Sequence, residues 1–140
     1  MESIQQKQDQ IIDEFNFFED WSEKYQYLID LGKNLPKFNQ NKKIDSNLIK
    51  GCQSKVWLDS SFSDNIVIFE ADSDAIISKG IISLLIRVFS GHKPEDILNA
   101  NIEFIEKIGL NSHLSQTRAN GLLSMIKQIK IYALAYQAKQ

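Results

Sequence analysis

Cys52 is the only cysteine among 140 residues, and it stands in the polar run "IKGCQSKVW". A thiol becomes a nucleophile as its thiolate, and positive neighbours favour that form. Lys50 and Lys55 are expected to supply the positive potential. Gly51 lets the backbone take torsions closed to other residues, so it is expected to act as a joint that moves the thiol between sheltered and exposed positions. Gln53 and Ser54 are expected to donate hydrogen bonds to a sulfur anion. Two other readings stay open. One is a small buried cysteine with no chemistry, in a pure binding module. The other is a Cys–His thiol enzyme, which needs His92 or His113 beside the sulfur, itself oriented by a third group. Both histidines also read as loop or cap residues. One Cys and two distant His are too few for a closed zinc site or an iron–sulfur cluster, so no metal site is expected. A single cysteine closes no intrachain disulfide, and the fold therefore does not depend on an oxidising compartment.

Two further clusters carry charge. In "ADSDAIISKG", Asp72 and Asp74 read as caps of the following helix and Lys79 as a solvated residue. The longer alternating series and distal glutamate of an EF-hand are absent. In "LSQTRANGLLSM", Ser115 or Thr117 reads as the cap of the last helix. Gly121 weakens a helix unless another backbone approaches it or the helix begins later. Arg118 is poorly placed for the helix dipole, so a partner for it is expected elsewhere.

The elements that must position these groups follow from periodicity. Ser3 caps a first helix with Ile4, Ile11, Phe15 and Phe18 near one face. Asp20 opens a second with Glu23 three residues on, and Trp21, Tyr25, Leu28, Leu31 and Leu35 form its stripe. Pro36 is expected to end it. A polar loop covers Lys37 to Ser46. "NLIKG", "KVWLDS" and "NIVIFEA" read as three antiparallel strands, with "SFSDN" as a turn and "GCQS" at a bend. The most apolar helix covers about Ala75 to Ser90, with Lys79, Ser83, Arg87 and Ser90 as one narrow solvated stripe. Short helices "PEDILNA" and "IEFIEKIG" follow, and a last helix begins at about Thr117. The expectation is one α+β domain over residues 1–140, a small three-stranded antiparallel sheet with helices packed on one face.

Composition excludes other classes. Apolar residues make up 43%, charged residues 24%, and the net charge is -2. A nucleic-acid binder usually shows a basic excess. "AIISKGIISLLIRVF" is too short and too charged for a bilayer span, so no membrane association is expected. The N-terminal "MESIQQKQDQ" lacks the apolar core of a secretion signal, which points to the cytoplasm.

The runs "WSEKYQYLIDLGKNLP", "LIKGCQSKVW", "ADSDAIISKGIISLL" and "LSQTRANGLLSMI", in this order, resemble the SufE family of sulfur-acceptor proteins. They cover most of the chain from about residue 20 to about residue 130. The glycine–cysteine–glutamine–serine run with its tryptophan is the most specific. Gln116 departs from the proline that the family places before the Ser/Thr–Arg pair. The resemblance implies a fold like that of the IscU/SufU scaffolds. It implies an acceptor thiol at Cys52, loaded by a SufS-type cysteine desulfurase whose PLP stays with that enzyme. It also implies stimulation of the desulfurase and delivery of sulfur to the SufBCD scaffold for iron–sulfur cluster assembly. Such a chain is a transfer partner rather than a free-standing enzyme and binds no cofactor of its own; a homodimer stays open. Asp74, Lys79 and Arg118 are expected to shape the thiol loop or the docking face.

Overall fold

The computed structural model describes residues 2–139. The first helix, α1 (Ile4–Asn16), begins with a full capping box. The Ser3 hydroxyl accepts from Gln6 N–H and the Gln6 side chain accepts from Ser3 N–H. It buries Ile4, Gln8, Ile11 and Phe15. Phe18 lies beyond the helix end and packs on Tyr27 instead. The second helix, α2 (Trp21–Lys33), starts where the Asp20 carboxylate accepts from Glu23 N–H. It ends at Lys33, ahead of Pro36, and its buried residues are Leu28 and Gly32.

Among the described residues the sheet has two strands, not three. β1 (Val56–Ser63) and β2 (Ile66–Ser73) pair antiparallel with Val56 opposite Ser73. The strands run on through most of "SFSDN", because Asp64 and Asn65 alone make the turn, at φ 54° and 65°. A two-residue turn with both residues left-handed matches the twist of the strands it joins. The expected strand "NLIKG" shrinks to a single bridge between Leu48 and Trp57. A helical turn over Asp45–Asn47 precedes it and Gly51, at φ 94°, bends the chain after it. Too few residues lie between them to form a ladder.

Alternation gives the hairpin one apolar face. Val56, Leu58, Val67, Phe69 and Ala71 are buried, while Ser61, Ser63, Ile68 and Glu70 point out. The helix α3 (Ile76–Phe89) packs on β2 and, more extensively, on α2. Two short helices follow, α4 (Pro94–Asn99) and α5 (Phe104–Lys107), and then the long α6 (Gln116–Ala138). Ser115 caps α6 by accepting from Arg118 N–H. Tyr132 and Tyr136 carry α6 onto the hairpin, donating to Leu58 O and bonding Ser60 Oγ.

The α2–α3 seam is a backbone contact. A Cβ on Gly32 would sit 2.7 Å from Gly80 N, and one on Gly80 would run into Leu28 O. The polar stripe of α3 is only partly exposed, and its residues find partners on other elements. Ser83 Oγ donates to Leu31 O at 3.2 Å, Ser90 Oγ accepts from Phe69 N–H at 2.9 Å, and Arg87 pairs with the Glu14 carboxylate through both nitrogens. Tyr27 donates to the same carboxylate. The guanidinium holds Glu14 below the usual carboxylate range. Burial and the Glu14 carboxylate push Tyr27 up to about 12.

Candidate thiol site

The loop from Lys50 to Lys55 joins the Leu48 bridge to β1 and folds back over the junction of α3 and α6. Its own backbone is anchored at both ends. Ile49 N–H donates to Val56 O at 2.9 Å. Lys55 N–H donates to the Asp74 carboxylate at 3.0 Å, and Ser73 Oγ donates to Lys55 O at 2.8 Å. Asp74 is thus a staple for the loop, not the cap expected of it. The N-cap of α3 is Ala75, with no side-chain bond, and Ser73 Oγ accepts from Ala75 N–H. Gly51 is the residue this bend requires. It sits at φ 94°, and a Cβ there would strike the Ser124 hydroxyl.

Cys52 is half-buried and free. Its sulfur faces a cavity of about 190 Å³ lined by residues of the loop, α3 and α6, among them Ser54, Ser78, Ile81, Arg118, Gly121 and Met125. Gly121 makes the seat. Its carbonyl accepts from the thiol at 3.5 Å, and a Cβ on it would touch Cys52 Sγ at 3.5 Å. The glycine inside the helical pattern thus marks a close approach of another segment. The field expected from Lys50 and Lys55 does not lower the thiol. Burial pushes Cys52 up, so the protonated form is the resting one. A thiolate in this seat would face the Gly121 carbonyl oxygen and lose the hydrogen bond it now donates.

Around the sulfur, Gln53 lines the cavity mouth and Ser54 Oγ bonds Ser78 Oγ at 2.8 Å. Arg118 lines the same mouth, and its guanidinium makes no ion pair among the described residues. Lys79 and Asp72 do not line the cavity. Lys79 of α3 pairs with Asp72 of β2 at 3.3 Å, and Asp72 also takes Lys43 at 2.9 Å. The two lysines, with Ser73 N–H, hold Asp72 below its ordinary value against the opposing effect of burial. Neither residue caps α3.

Neither histidine lines the thiol cavity. His92 is 5% exposed, its carbonyl accepts from Val67 N–H, and its Nε2 has no hydrogen-bond partner among the described residues. Burial first, then the Lys7 charge, lower its pKa. His113 stacks on Trp21 at 3.9 Å, and Tyr25 donates to its carbonyl. Ser78 and Ser124 are the site residues that sequence reasoning missed. The signal for Ser78 was a hydroxyl in an otherwise apolar helix start, "AIISKG", which reads as an ordinary surface serine until its burial is known.

The model of the family described as "Fe-S metabolism associated domain", SufE, matches residues 9–133. The chain belongs to the SufE family. An uncharacterized SufE-like protein of Rhizobium meliloti (strain 1021) is 42% identical over 127 residues, covering 87% of this chain and 91% of that protein. A second uncharacterized SufE-like protein, from Rhizobium etli, is also 42% identical over 127 residues, covering 87% of this chain and 86% of its own length. The solution structure of a hypothetical protein from Thermus thermophilus superposes with a TM-score of 0.77 at 17% identity, over 94% of this chain and 96% of that one. That likeness shows the α+β fold. Membership ties the SufE chain to iron–sulfur metabolism. No helix among the described residues is long and apolar enough to cross a membrane.

Proposed function

We propose that this SufE-family protein accepts sulfane sulfur on Cys52 from the persulfide of a SufS-type cysteine desulfurase, stimulates that enzyme, and delivers the sulfur to the SufBCD scaffold. The observation that carries the reading is the placement of the chain's one thiol. It lies on a glycine-hinged loop, over a cavity roomy enough for a further sulfur atom and with no second cysteine.

The chemistry balances without a cofactor on this chain. Docking draws Cys52 out of its seat, and the thiol gives up its proton to a base of the complex or to water. The thiolate attacks the outer sulfur of the donor R–S–SH. A new S–S bond forms at Cys52, the donor's S–S bond breaks, and R–S⁻ leaves. The sulfane sulfur keeps its oxidation state. A second thiol beside Cys52 would attack the loaded persulfide, close a disulfide and expel sulfide, so a lone cysteine suits a carrier. Burial and the Gly121 carbonyl keep the free thiol protonated and quiet until a partner arrives.

Incubation with a SufS-type desulfurase, PLP and free cysteine, followed by mass spectrometry of the intact protein, tests the reading. The wild type is expected to gain one sulfur atom, and Cys52→Ser none. A wild type that stays unmodified, or a variant that still gains sulfur, overturns it.

A further inference from the structure

The segment that carries Cys52 is fixed at Ile49 and at Lys55 by the backbone bonds described above. Between those anchors, among the described residues, two hydrogen bonds tie the loop to the helices. One runs from the Cys52 thiol to Gly121 O at 3.5 Å; the other joins Ser54 Oγ and Ser78 Oγ at 2.8 Å. A thiol is a weak donor, and its bond here is long. The hydroxyl pair is the stronger tether. Ser78 is only 7% exposed, in the first turn of α3, and Ser54 is its only hydrogen-bond partner through that hydroxyl among the described residues. Lifting the loop exchanges this bond for bonds to water, and an intramolecular hydrogen bond keeps a net advantage over that exchange, which biases the loop toward its seat.

We propose that Ser78 is a positioning residue for sulfur transfer. Its hydroxyl latches Ser54 and so sets the fraction of molecules that present Cys52 outside the cavity. The purpose of the latch rests on the sulfur-acceptor reading, but its operation is measurable without any donor. The latch acts through Ser54 on the thiol loop and touches no reacting atom.

The measurement is the alkylation rate of Cys52 by iodoacetamide in the native protein, normalised to the rate in denaturant. Ser78→Ala and Ser54→Ala are each expected to raise it about fivefold, the worth of one neutral hydrogen bond. The double variant is expected to match either single, because both changes remove one interaction. With a desulfurase as partner, the apparent KM for the Ser78→Ala protein is expected to fall by the same factor. The presented fraction divides the intrinsic dissociation constant, so the change falls on KM rather than kcat. Unchanged alkylation in both single variants, or a double variant near twenty-fivefold, the product of two independent effects, overturns the latch. A wild type that gains no sulfur overturns the acceptor reading, while alkylation still decides the latch.

Discussion

The α2–α3 seam and the Cys52 loop both depend on glycine, and they use it in opposite ways. At the seam, Gly32 and Gly80 remove side chains so that two backbones touch, and Arg87, Glu14, Tyr27 and Ser83 close the contact with hydrogen bonds. At the loop, Gly51 supplies a left-handed bend and Gly121 supplies a shallow seat, with two side-chain bonds between them. One region is held by interlocked main chains. The other is held between its anchors by two side-chain bonds. A single fold therefore sets a seam of touching backbones beside a lightly tethered thiol loop, and α3 belongs to both.

That contrast can be broken at either end. Gly80→Ala drives a Cβ into Leu28 O, which is backbone and cannot yield. The expected loss is about 3 kcal/mol, the upper end for overpacking, measured by urea unfolding. The protein that remains folded should still take sulfur on Cys52. Gly51→Ala meets only the Ser124 side chain, but it forces an L side chain to a φ of 94°. Its stability loss should be smaller, about 1–2 kcal/mol. That strain lies in the seated conformation, so it should raise the alkylation rate of Cys52 roughly tenfold, the population equivalent of that cost. A Gly51→Ala protein alkylated at the wild-type rate would dissolve the distinction between the two regions.

The smallest effect is a pH slope. Burial raises the folded-state pKa of Cys52 above its unfolded value. The stabilisation is therefore complete below the ordinary thiol pKa of about 8.5 and is lost as pH rises through the folded value. Unfolding midpoints taken from pH 7 upward should fall more steeply for the wild type than for Cys52→Ser. Parallel curves would mean that the seat does not discriminate against the thiolate.

The sequence was most legible where a residue acts on its neighbours. Ser3, Asp20 and Ser115 cap the helices their spacing predicts, and Gly121 packs against another segment as its interruption of a helical stripe suggested. It was least legible where the partner is far along the chain. Asp74 looks like a local cap, and its acceptor role toward Lys55 N–H becomes visible only when β1 and β2 are paired. Lys79, Ser83, Arg87 and Ser90 have the spacing of a solvated stripe, and each one's partner comes from another element. The third strand failed for a related reason. β-Propensity marks apolar runs but is blind to the helical turn and the glycine bend that clip this one to a single bridge. The lysines beside Cys52 were weighed as charges, whereas desolvation by the surrounding helices decides the state of the thiol.

Anchoring the loop at both Ile49 and Lys55 also limits its travel. Cys52 stands three residues from either post, so a fully stretched chain carries its backbone no more than about 10 Å from them. The arm is short, and its two-point mounting keeps it from swinging free. If Cys52 takes sulfur as proposed, its donor would therefore have to bring that sulfur within this reach of the protein's surface.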